Sequence, residues 1–182
     1  MGRTIVLVLW MRRFAEARRG SAAVEFALIA GPFFALMMAI LEVGLVFFTS
    51  SVMEDSMLQA AREIRTGEFQ TGGNGRADFL DTVCESFGNI GDCSKLSVDV
   101  RTFDNFTSVT VPDPVVDDEF SDAGFVFEPG GAGDVVLVRV FYRKKLFTPS
   151  LGVGLANIAD NEVLMSAATA FRSEPFAQDG GE

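Results

Sequence analysis

Between Phe26 and Phe48 the chain runs for 23 residues with a single charge, Glu42. At ~1.5 Å per residue that is ~34 Å of helix, enough to cross a hydrocarbon core of ~30 Å. The pattern predicts a continuous membrane-spanning helix. Pro32 removes one backbone donor inside it, a defect that neighbouring helices accommodate in membranes. Past Phe48 the pattern becomes periodic. Met53, Met57, Ala60, Ala61 and Ile64 recur at helical intervals, while Glu54, Asp55, Arg62, Glu63 and Arg65 fall largely elsewhere. The helix is therefore expected to continue beyond the lipid and to stop near Gly67, ahead of TGGNG (Thr71–Gly75).

The remainder alternates between short periods. Arg76–Phe87 predicts a short helix with Phe79, Leu80, Val83, Cys84 and Phe87 along one side. LSVDVRTF (Leu96–Phe103) places Leu96, Val98 and Val100 on one face and Ser97, Asp99 and Arg101 on the other, a half-buried strand. DVVLVRVFYRKK (Asp134–Lys145) is apolar on both faces up to Arg139, which suits a central strand, and VLMSAATAFR (Val163–Arg172) is a third. The expected fold class is α+β: a long N-terminal membrane-spanning helix extending into a periplasmic head with a small antiparallel sheet, the helix covering one face. Asn105–Asp134 reads as a long loop rich in Pro, Gly and acid. Leu146–Ile158 reads as a Gly-rich apolar connection whose Leu151, Val153 and Leu155 cover the sheet edge or meet a partner.

Charge gives the helix a direction. Residues 1–20 hold Arg3, Arg12, Arg13, Arg18 and Arg19 against Glu16 alone, and the far flank opens with Glu54 and Asp55. Basic flanks stay cytoplasmic, so the head is expected outside. The chain has 182 residues, enough for about one domain, organised as a basic leader (1–20), a spanning helix (21–48), its extension (49–67) and the head (68–182). Without the leader, ten basic residues face twenty-four acidic ones, a net charge of −14. That repels nucleic acid. A cleaved secretory signal fits poorly, because the main apolar run is too long and no small-residue cleavage site follows it. Met11 is an alternative start, giving the leader MRRFAEARRG.

RRGSAAVEF (Arg18–Phe26) places Glu25 at the entrance of the apolar run. Intramembrane acids are costly and mark function. A cut between Gly20 and Ser21 would create an α-amine four residues before Glu25. At ~4 Å and an effective dielectric of ~20, amine and carboxylate attract by ~4 kcal/mol before desolvation is subtracted. Basic residues, a glycine, a small residue, Glu-Phe and a long apolar helix resemble the processing site of type IV pilin-like proteins. GSAAVEFALIAGPFF is similar to the TadE-like minor pseudopilins of the tight-adherence (Tad, Flp) pilus machinery, with the resemblance strong over residues 18–66. It returns at AATAFRSEPF (Ala167–Phe176), similar to that family's closing strand and tail. Ser21, where general secretion pseudopilins usually carry Phe, favours the Tad branch. The resemblance implies cleavage by a prepilin peptidase after Gly20, with Ser21 as the new N-terminus and Glu25 and Phe26 as its fifth and sixth residues. It also implies residence in the bacterial inner membrane and helix contacts with other pilin or pseudopilin subunits, in which Glu25 and Glu42 take part. Glu42 has a second reading, in which the bilayer boundary lies near it and the carboxylate snorkels.

Cys84 and Cys93 are the only cysteines. In a periplasmic head a disulfide is permitted, and it is preferred here over two free thiols. A metal site is weak, since the chain has no histidine and two thiolates make half a zinc site. The same lack rules out a Ser-His-Asp triad or a Cys-His pair. Asp117, Asp118, Glu119 and Asp122 offer oxygen ligands for calcium, but their spacing departs from the EF-hand pattern and a solvated loop is the better reading. GVGLAN (Gly152–Asn157) fails the dinucleotide and P-loop patterns. No cofactor and no enzymatic activity is expected. The leading expectation is a minor pseudopilin that assembles, primes or regulates a Tad pilus, with membrane lipid, the peptidase and other subunits as partners. The alternative is an uncleaved, signal-anchored periplasmic binding or sensory protein.

Overall fold

The computed structural model describes residues 20–148 and 154–176. Residues 1–19 of the basic leader, and Leu151 and Val153, lie outside that range. The first element, α1, is a single helix over Ser21–Thr66 that includes Pro32. It is long and apolar enough to cross a membrane by length and composition. Its end coincides with Gly67, whose φ of 81° is left-handed. Such a backbone stops a helix and suits a residue without Cβ. A one-turn helix, α2 (Glu68–Thr71), and α3 (Arg76–Phe87) follow. The Asp78 side chain accepts the N–H of Gly75 at 2.7 Å and so satisfies an orphan donor at the start of α3.

By contacts the chain divides into two compact units between Leu41 and Glu42. In the second unit, a three-stranded antiparallel sheet has the order β1 (Leu96–Phe103), β4 (Val135–Lys145), β5 (Glu162–Arg172). The apolar β4 is central, as its two-faced hydrophobicity predicts. Val98 pairs Val140 and Val100 pairs Val138, while Val140 pairs Ala167 and Tyr142 pairs Met165 on the other side. These side chains share one face, and α1 and α3 pack on it. The core joins Met53, Met57, Ala60, Ala61 and Ile64 of α1 to Phe79, Val83 and Phe87 of α3 and to the valines of β1 and β4. The periodic stripe on α1 is thus the buried stripe, with Met53, Met57 and Ile64 fully inaccessible. The fold is α+β: a long apolar N-terminal helix and a C-terminal antiparallel sheet.

The stretch expected to be one long loop holds more order than its composition suggests. Val115–Val116 (β2) and Glu119–Phe120 (β3) form a hairpin. Its two-residue loop is Asp117–Asp118, with φ values of 53° and 62°. Two successive positive φ values match the right-handed twist of a hairpin, and Asp tolerates them better than most residues. Phe127 then bridges Val100 in parallel, covering part of the free edge of β1.

Candidate functional site

Gly20 is exposed and stands directly before the first residue of α1. Glu25 and Phe26 follow within the second turn, both exposed. Peptide bonds are cut where the backbone is accessible and not yet part of a helix. At the Gly20–Ser21 junction Gly20 is accessible, but it already has 3-10 geometry and Ser21 is the first residue of α1. Beyond it Leu28, Ile29, Phe33, Phe34, Leu36 and Ile40 are each more than half exposed. An uncovered apolar surface of that extent fits lipid or other helices.

Glu42 lies in the second unit and in a different setting. Only 5% of it is exposed. Its carboxylate accepts the backbone N–H groups of Phe147 and Thr148 and the Thr148 hydroxyl. About two turns further on, the Thr49 hydroxyl donates to the Leu45 carbonyl at 2.7 Å and accepts from Lys144 Nζ at 3.1 Å. Burial pulls the Lys144 ammonium below the ordinary lysine range, and the nearby negative charge of Glu42 works in the opposite sense. The buried stripe of α1 in this unit therefore begins at Glu42 and runs through Val46 and Thr49 to Met53. The sequence flagged Glu42 as an isolated acid. Its partners, a hundred residues away, carry no sequence signal.

A second charged cluster lies on the sheet face opposite the core. Asp99 is fully buried. It pairs with Arg139 at 2.6 Å and Arg101 at 2.9 Å, and it also accepts the Val126 N–H at 2.9 Å. Burial works to raise its pKa. The bonds from Arg101, from the Val126 N–H and from Arg139 outweigh that, so the carboxyl is held below the usual aspartate range. Arg139 lies 5.3 Å from the ring centroid of Phe141 and 5.8 Å from that of Phe125. The signal was available: the one charge inside the apolar run of β4 faces an acid directly across the strand pair. The cluster is enclosed and fully partnered, which fits structure and not chemistry.

Cys84 and Cys93 form a disulfide with their Cα atoms 5.9 Å apart. It ties α3 to the turn that enters β1. The acidic residues proposed for calcium are spread over a hairpin. Asp117 and Asp118 shape its turn, Glu119 is on β3, and Asp122 accepts the Ser97 hydroxyl at 2.9 Å. Among the described residues no group of three or more acids or cysteines is placed to hold a metal. A shallow cleft beside the hairpin is lined by Asp118, Glu119, Arg143, Asp160 and Glu162. Arg143 stacks 5.4 Å over the Phe120 ring at its wall.

Residues 20–62 match a family model described as TadE-like protein. The matched stretch starts at the glycine and takes in α1 as far as Arg62. No curated protein and no solved structure matches the chain. Over this stretch the chain is similar to TadE-like proteins. Together with its apolar N-terminal helix, that fits a membrane-anchored protein.

Proposed function

We propose that this TadE-like chain is a minor pseudopilin of a Tad-type pilus. It is made as a precursor and held by α1 in the bacterial inner membrane, with residues 1–20 cytoplasmic and the head periplasmic. A prepilin peptidase cuts after Gly20. The mature chain then joins other pilin or pseudopilin helices in assembling, priming or regulating the filament. The head works by contact and not by catalysis.

One observation carries this reading. An exposed glycine stands directly before the first residue of an apolar helix, with Glu25 and Phe26 five and six positions on, inside a TadE-like stretch. The chemistry is consistent. Cleavage at Gly20 leaves a cationic amine at the head of α1, near the depth of Glu25. In a low-dielectric layer that amine offsets the carboxylate, within one chain or between neighbours.

Complementation tests it. A strain lacking its own copy is given the wild-type chain or Glu25→Gln, and surface fibres are counted. Wild type restores fibres and Glu25→Gln does not. Undiminished fibres and normal maturation with Glu25→Gln would refute the role assigned to Glu25.

A further inference from the structure

Phe147 is 78% exposed, more than any other large apolar side chain among the described residues of the head. It is not on a mobile tip, because its own backbone N–H donates to the buried carboxylate of Glu42. Thr148 donates to the same carboxylate twice, and Leu146 beside it is buried in the core. The segment 146–148 is therefore fixed to α1 at the level of Glu42, with one phenyl ring directed away from protein.

The depth of that level follows from helix rise, and the inference rests on reading α1 as a membrane helix. Ser21 to Leu41 is ~31 Å of helix, about one hydrocarbon thickness. From Glu42 to Phe48 the uncovered side of α1 is still apolar, with Leu45 at 49%, Phe47 at 67% and Phe48 at 56% exposed. The first exposed polar residue after them is Ser51. The outer edge of the lipid thus falls between Glu42 and Phe48, a window of ~9 Å. Phe147 sits at the inner end of that window. An apolar Phe ring enters the headgroup/acyl boundary as it does on the apolar face of interfacial helices, and Lys145, exposed two residues before it, suits the headgroup region.

We infer that residues 146–148 form a membrane-contacting segment of the head: Phe147 inserts into the outer edge of the bilayer, while Glu42 holds the segment there by accepting its backbone donors. The occupant of the exposed ring is lipid. This explains how an acid at this depth is tolerated. Its charge is spread over three donors with Lys144 nearby. In exchange, two backbone N–H groups entering the interface are satisfied.

Trp10 is the single tryptophan of the chain, so tryptophan reporters can be placed freely. The full chain carrying Trp10→Phe and Phe147→Trp is reconstituted into phosphatidylcholine–phosphatidylglycerol vesicles whose acyl chains are brominated close to the glycerol. A side chain this exposed is exchanged without disturbing packing. The reference carries Trp10→Phe and Phe106→Trp. Phe106 is also exposed and follows β1 at the opposite end of the sheet, ~33 Å away along β4. The expected result is that the reporter at 147 loses most of its emission to the brominated lipid and is shielded from iodide, while the reporter at 106 shows the reverse. If the chain floats with vesicles but the reporter at 147 is quenched by iodide and not by bromine, the insertion is wrong and the membrane helix stands. If the chain does not float with vesicles, the membrane helix and the insertion fail together.

Discussion

The carboxylate of Glu42 and the backbone of Thr148 are bonded at 3.1 Å across 106 positions of sequence. This contact fastens the end of the central strand to the helix that carries the TadE-like stretch. It accounts for the otherwise awkward position of an acid in an apolar run. Removing the carboxylate leaves the Phe147 and Thr148 donors without their acceptor. An unsatisfied buried donor costs about 1–3 kcal/mol. Glu42→Ala should therefore destabilise the head by that order in thermal unfolding, and Glu42→Gln, which keeps one acceptor oxygen, by less. Equal stability of wild type and Glu42→Ala would show that the contact contributes nothing.

The Asp99 cluster makes the head sensitive to acid. Its pKa is lowered on folding, so its stabilisation is complete above the ordinary aspartate value of 3.8. That stabilisation is lost as pH falls through the folded value. Unfolding of the wild type followed below pH ~5 should show a declining limb, and Asp99→Asn should flatten it. At neutral pH the same substitution leaves Arg139 buried with a weakened partner, at a cost of about 3–5 kcal/mol when such a pair is broken.

The disulfide closes a loop of sequence separation 9. In the chain-entropy model that contributes about 2.5–3 kcal/mol. Replacing both cysteines by serine, or adding reductant, should lower the melting temperature of the head accordingly. The double-serine variant should be insensitive to reductant.

Gly67 has φ of 81°, and the ring of Phe176 lies 2.2 Å from where a Cβ would stand. The tail is fixed here, with Glu174 N–H donating to the Arg65 carbonyl at 2.8 Å. Gly67→Ala should cost at least the left-handed penalty of about 1–2 kcal/mol and release Phe176 from its site. Protease sensitivity of the C-terminal tail reads the second effect directly.

Much of this architecture is legible in the residues, for identifiable reasons. The Met53–Ile64 stripe, the alternation of Leu96–Phe103 and the two-faced apolarity of Val135–Lys145 each report burial, and burial decided those elements. Cys84 and Cys93 lie close enough to pair once α3 and β1 are in place. Three features escaped. The Asp117–Asp118 hairpin looked like solvated acid, because its turn depends on backbone angles and its strands are two residues long. The buried face of α1 reaches back to Glu42, but there it is carried by Glu42 and Thr49 among uniformly apolar neighbours, so no periodicity marks it. Phe147 is one apolar residue in an apolar connection, and only its bond to Glu42 gives it a depth.

The most direct measurement is the mass of the N-terminus. The full chain is expressed in membranes with and without an active prepilin peptidase, purified and measured intact. Processing at the Gly20–Ser21 junction gives a chain beginning at Ser21 when the peptidase is present, and the uncut precursor when it is absent. The same uncut N-terminus under both conditions would contradict the pseudopilin reading and leave an uncleaved, anchored periplasmic protein in its place.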